Sequence, residues 1–217
     1  MRPFCMRPWM LCVMMVCLWG LPAAPAAAAE DAEALFRQGN AYLQQGQADQ
    51  AIAAYTQAIA ANPRYATAYH NRGFAYAKKR LYDQAIADFT QAIKINPDYA
   101  LAYKNRGLSY KNQGLPDRAM ADYHAALKID PKFVEVYDFR GLAYGEKGEF
   151  DQALRDFNQA LKLNPKYAAS YEHRALIYTY QQQYDQAWAD VHTAQGLGLK
   201  VAPELLKALK RASGREK

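Results

Sequence analysis

Four histidines, three cysteines and a recurring arginine–aspartate couple are the residues whose types could support chemistry. His70, His124, His173 and His192 could hold a metal or move protons, but no His-Glu-x-x-His pair or other ligand spacing brings them together. Cys5, Cys12 and Cys17 all fall within the first 17 residues and form no Cys-x-x-Cys pair, which excludes a zinc ribbon and a dithiol redox site. A nucleophile elbow of the Gly-x-Ser-x-Gly kind and a phosphate-binding loop are both missing. The chain is therefore expected to be no enzyme, with no metal and no cofactor.

The arginines carry more information. Arg72, Arg106, Arg140 and Arg174 recur every 34 residues, and Asp88, Asp122, Asp156 and Asp190 each follow sixteen residues later. A preceding stretch has Gln38 and Ala54 at the corresponding positions, lacking both charges together. Pairing each Asp with the next repeat's Arg would set Arg72 against Ala54 and leave Asp190 without a partner; pairing within the repeat leaves none over. Four intra-repeat bridges, each tying the two helices of its hairpin, are the expectation, and a basic ladder for an anionic ligand is the functional alternative.

Those couples must be positioned by a repeating element, and the period names it. Asn62-Pro63, Asn96-Pro97, Asp130-Pro131 and Asn164-Pro165 lie 34 residues apart, each followed two residues on by Tyr65, Tyr99, Phe133 or Tyr167. Frames of 32–65, 66–99, 100–133, 134–167 and 168–201 result. Within each, apolar residues recur at spacings of three and four, such as Tyr69, Gly73, Tyr76 and then Ala85, Phe89, Ala92, which is the spacing of two amphipathic helices. Gly39, Gly73, Gly107 and Gly141 share the eighth place of the first helix, where glycine costs about 1 kcal/mol in helix propensity. Such recurrence predicts a close helix–helix approach. Tyr55, Phe89, Tyr123 and Phe157 are the bulky partners on the second helix, and the residue before each proline is expected to leave the helical region.

In the third frame the order Tyr103, Gly107, Tyr110, Ala119, Tyr123, Ala126, Pro131 resembles the tetratricopeptide repeat family, and the likeness spans 170 of the 217 residues. The last frame departs most, with Ala175, Val191 and Leu199 in place of Gly, aromatic and Pro. The resemblance implies an all-α, right-handed superhelical solenoid of five helix-turn-helix repeats. Residues 202–217 would add a capping helix, its Leu205, Leu206 and Leu209 facing the last repeat, and a tail.

The resemblance also implies a concave groove lined by first helices. Its ninth place would give a floor of Asn40, Phe74, Leu108, Leu142 and Leu176. Around the floor, His70, Lys78, Lys104, Lys111 and Asn112 make one half basic, whereas Glu135, Asp138, Glu146 and Glu172, with Tyr180, make the other acidic. A groove of that kind suits a peptide bearing both charge signs. The carboxylate clamp of some family members would fall on Phe36, Asn40, Asn71, Leu101 and Asn105, which lack its three cations.

Ahead of the repeats, Arg2 and Arg7 precede an apolar run, Trp9 to Leu21, and then a small-residue stretch to Ala29. This is the layout of a secretory signal with cleavage before Glu30, and the run is short for a membrane span of roughly 20 residues. Cleavage would remove every cysteine. Overall, 27 basic against 21 acidic residues give a net charge of +6, dispersed along the chain, which does not suggest nucleic acid. The expectation is a periplasmic or secreted scaffold that binds a protein or peptide partner. The alternatives are a self-associating structural module and a carrier of small or lipidic ligands.

Overall fold

A computed structural model describes residues 25–214, with side chains from residue 31. The apolar N-terminal run lies outside the described residues. Eleven helices and no strand are found among those described. Helices α1 (Pro25–Gln44) and α2 (Ala48–Ala61) form the first antiparallel pair, α3 (Ala66–Lys78) and α4 (Tyr82–Ile95) the second, α5 (Ala100–Asn112) and α6 (Pro116–Ile129) the third. The pairs α7 (Val134–Glu146) with α8 (Phe150–Leu163), and α9 (Ala168–Tyr180) with α10 (Tyr184–Gly196), continue the array, which α11 (Pro203–Ser213) closes. Each helix packs on its successor, and α1 also meets α3, α3 meets α5 and α7 meets α9. The odd-numbered helices thus form the crowded inner row of an all-α superhelix. No described helix is long and apolar enough to cross a membrane. The expected cleavage point before Glu30 falls within α1.

Proline and its predecessor set the second-helix ends. Asn62, Asn96, Asp130 and Asn164 adopt extended backbone, with ψ of 92–95°, as a following proline demands. Each side-chain oxygen then accepts the backbone N–H two residues on, at 2.9–3.1 Å, closing an Asx turn into the next pair. The turn inside each pair has its own requirement. Its αL position is Gly46, Gly114 and Gly148 in three pairs, but Arg80 and Gln182, both at φ 60°, in the other two.

The eighth-place glycines hold the pairs together by what they lack. A Cβ on Gly107 would stand 2.7 Å from Tyr123 Cε1 and 3.2 Å from the Ala119 carbonyl; on Gly141 it would stand 2.7 Å from Phe157 Cε1. The aromatic rings fill the vacated space and are fully buried. In the last pair the exception explains itself: Ala175 carries the methyl, and its partner place holds the smaller Val191, both buried.

All four expected bridges form within their own pairs. Arg72, Arg106, Arg140 and Arg174 each present Nε and Nη2 to the two oxygens of Asp88, Asp122, Asp156 and Asp190, at 2.7–2.8 Å. Tyrosines stack over each guanidinium from its own helix, for example Tyr103 and Tyr110 over Arg106. Nη1 of three of them reaches back to the preceding pair, bonding Thr56, Thr90 and Asn158. One fork therefore ties a hairpin and its neighbour together. The basic-ladder alternative has no support here, because these cations face carboxylates.

Two outcomes are expected. Gly107→Ala should destabilise the chain by about 1–3 kcal/mol in urea unfolding, and most of that cost should vanish in a Tyr123→Val background. Asp122→Ala, which strands a buried guanidinium, should cost about 3–5 kcal/mol, while Arg106→Met with Asp122→Leu should be near neutral.

Candidate functional site

The inner row carries the apolar floor, and its first member differs in kind. Asn40 is half-buried because its Oδ1 accepts from the Tyr55 hydroxyl and from Asn71 Nδ2, both at 2.8 Å. Asn71 continues to His70 Nδ1 at 3.0 Å, and His70 Nε2 meets Asn105 Nδ2 at 2.9 Å. A polar chain thus runs across the first three pairs. It consumes the asparagines that a carboxylate clamp would need. Where Leu108 takes Asn40's place, the buried Tyr123 hydroxyl has no hydrogen-bond partner among the described residues, and burial raises its pKa. Phe74 is 37 % exposed, and Leu108, Leu142 and Leu176 are half-buried.

Several residues placed on the walls by the sequence are otherwise engaged. His70 is only 5 % exposed, wedged between Phe89 and Tyr99 with ring centroids 5.5 and 5.0 Å away. Asp138 is 1 % exposed, because α9 covers it: Ser170 Oγ donates at 2.6 Å and His173 Nδ1 lies 2.9 and 3.0 Å from its two oxygens. These three side chains are not a catalytic triad. Ser170 is fully buried and bonds the carboxylate itself, so the imidazole has no hydroxyl to activate. Glu172 accepts the Ala202 N–H at 2.6 Å and anchors the entry to α11. The basic and acidic halves also meet, since Lys111 Nζ lies 2.8 Å from Glu146. The bipolar groove is therefore narrower in charge than the sequence implies.

What stays open is the basic side. Lys78 lies over the Phe74 ring at 5.2 Å and Lys104 over Phe133 at 5.1 Å, and neither forms a salt bridge among the described residues. Burial lowers the Lys104 pKa, with Glu135 opposing it. Between α3 and α5 a cleft of about 180 Å³ opens onto this side, with Phe74, Tyr82 and Leu108 on its walls. At the other end Tyr180, 64 % exposed, stacks on Phe150 at 5.8 Å and 4°. Sequence reasoning missed Tyr82 and Ser109 as parts of this face, and placed Asn71 and Asn105 there only as positions of a carboxylate clamp. It also missed the ties from Lys79 to Asp49, Gln113 to Asp83 and Lys147 to Asp117, which recur thirty residues apart and were visible as a spacing. No group of His, Cys, Asp and Glu fit to hold a metal occurs among the described residues.

An array of helix hairpins with an apolar, charged inner row has the architecture of protein-interaction scaffolds. The chain is a member of the tetratricopeptide repeat family. The family models match as TPR repeat over residues 39–79 and as tetratricopeptide repeat over 66–99, 100–133 and 139–167. No curated protein matches the chain in sequence. Among solved structures it is similar to PilF of Pseudomonas aeruginosa, at 19 % identity and a TM-score of 0.77, over 87 % of this chain and 86 % of that one. PilW, a widely conserved type IV pilus biogenesis factor, is similar at 21 % identity and a TM-score of 0.76, over 85 % and 87 %. YrrB, described as having an unusual peptide-binding site, follows at 21 % and 0.67, over 87 % and 98 %. At these identities the likeness is one of fold.

The histidine inside the polar chain makes stability depend on pH. Burial is the main cause lowering the His70 pKa below its ordinary 6.5, and the Lys104 charge adds to it against the Asn71 bond. The unfolded chain then takes up this proton at higher pH than the folded one, so the stability His70 contributes above 6.5 is lost as pH falls. The melting temperature of His70→Gln should accordingly drop less than that of the parent between neutral and mildly acidic pH. Parallel slopes would exclude His70 as the controlling group.

Proposed function

We propose that this chain is a cell-envelope scaffold that holds a segment of a partner protein along its inner row of helices, with the frames 32–65 to 168–201 acting as one array and 202–217 as cap and tail. The observation that carries this is the combination of exposed Phe74, half-buried Leu108, Leu142 and Leu176, and the ammonium groups of Lys78 and Lys104, which form no salt bridge among the described residues. Apolar side chains left open beside orienting charges favour a partner's chain over water. The peptide-binding site attributed to YrrB supports the use of such a fold for peptides. The envelope is favoured by the expected secretory signal and by the pilus-biogenesis role named for PilW.

Lys78, Lys104, Phe74, Leu108, Leu142 and Leu176 are the residues proposed to touch the partner, joined by Asn112, Lys111, Glu146, Glu135 and Tyr180 along the rim. Asn40, His70, Asp138 and Glu172 act beneath them by fixing the helices. Self-association through the last helix is disfavoured, because α11 buries Leu205 and Leu209 against the final pair and turns Lys207, Lys210 and Arg211 outward.

A photo-cross-linking residue at position 142, on the inner row, should capture one envelope protein in cell extracts, and the same residue at Lys94, on the outer row, should not. Equal capture from both positions, or capture of the chain alone, would reject the groove and favour self-assembly.

A further inference from the structure

The cleft between α3 and α5 has a counterpart two periods later in the chain, and the comparison shows what it is shaped to hold. In the later position the place of Ser109 is taken by Ile177, the place of Asn112 by Tyr180, and the place of Tyr82 by Phe150. Ile177 is 3 % exposed and packs with Leu142, Phe150 and Phe157, so a branched aliphatic side chain fills the space from within. Tyr180 closes its mouth by stacking on Phe150. Between α3 and α5 neither plug is present. Ser109 turns its hydroxyl back to the Asn105 carbonyl at 2.9 Å, and Asn112 is exposed. The result is the cleft of about 180 Å³, walled by Phe74, Phe89, Tyr82 and Leu108.

Two of its polar side chains are already engaged. Ser109 bonds its own helix, and Asn105 Nδ2 bonds His70. The single charged residue on the wall is Lys78, whose ammonium lies over Phe74 and forms no salt bridge among the described residues. Lys104 is not part of this wall, since its ammonium lies over Phe133. An apolar interior with a cationic rim selects for a hydrocarbon side chain next to a carboxylate.

From this geometry we infer that the cleft is an anchor pocket for a branched aliphatic residue, Leu, Ile or Val, of a partner peptide in which an Asp or Glu stands beside that anchor. The inference rests on the scaffold reading and narrows it: the basic end of the inner row, and not the acidic end, takes the anchor. The acidic end has its own anchor built in.

The test is selection of a random displayed peptide library on the purified full chain, followed by binding of the enriched peptides to three variants. Asn112→Tyr copies the plug of Tyr180 from an exposed position, so its folding is not at risk. Ser109→Val fills the interior. Valine is chosen over isoleucine because Ala77 stands where Gly145 makes room for Ile177, whose Cδ1 lies 2.9 Å from a Cβ built on that glycine. Lys78→Glu reverses the rim.

Enriched peptides are expected to carry a branched aliphatic residue beside Asp or Glu. They should bind Asn112→Tyr and Ser109→Val about tenfold or more weakly, the worth of burying one such side chain. Exchange of their acid for Lys should restore binding to Lys78→Glu. Peptides that bind both filled variants like the parent overturn the anchor pocket, while cross-linking from position 142 would leave the scaffold reading intact. A library with no enrichment overturns the inference, and with failed cross-linking it overturns both. A dimer of the parent chain that Asn112→Tyr dissolves would identify a second copy as the occupant, and that also overturns it.

Discussion

The array depends on the distance between the two helices of a pair, and four absent methyl groups set it. Gly39, Gly73, Gly107 and Gly141 let the second helix come close enough for an aromatic ring to lie against the first helix's backbone. Glycine is a poor helix residue, and its propensity cost of about 1 kcal/mol is offset by the burial of a whole ring, worth roughly 1.5–3 kcal/mol. Once that distance is fixed, the guanidinium fork of the seventh place falls opposite the carboxylate of the twenty-third, and its remaining nitrogen falls opposite the preceding pair. Local packing and array growth thus share one geometry.

That geometry explains what was legible in the sequence. The fold was readable from Gly107 with Tyr123, from the Asn-Pro signposts and from the correlated loss of Arg and Asp at Gln38 and Ala54, since each is a one-to-one steric or electrostatic requirement. The inner face was readable only as a list of places. His70 and Asp138 occupy the same place as Lys104, yet both are buried while Lys104 is half-buried. The difference comes from the sixth place of the next pair: Asn105 bonds His70 and His173 bonds Asp138, whereas Phe139 offers nothing polar to Lys104. Whether a fifth-place side chain faces a ligand or a neighbour is thus decided by a residue some 35 positions away.

The same rule accounts for the charge pattern. Counting charges along the inner row gives a basic half and an acidic half, but the facing members at the boundary, Lys111 and Glu146, neutralise each other. Glu172 is withdrawn by the chain's own α11, which needs an acceptor at its entry. Lys78, Lys104 and Glu135 stay outside any salt bridge among the described residues, with Glu135 acting on Lys104. A sequence ladder overstates the charge of a groove whenever adjacent rungs are of opposite sign.

The polar chain of Asn40, Asn71, His70 and Asn105 also has a mechanical meaning. Hydrogen bonds are directional and resist sliding of one hairpin over the next, whereas hydrocarbon contacts resist separation more than shear. The chain ends where Phe139 replaces the asparagine and rests on the Tyr123 ring at 6.1 Å. Beyond it the third and fourth hairpins are tied by Lys111 to Glu146 and by Lys147 to Asp117, and the fourth and fifth by Asp138 with Ser170 and His173. The joint between the third and fourth hairpins therefore has a greased centre with ion pairs at its exposed rim, each worth little, and changes in the curvature of the array concentrate there.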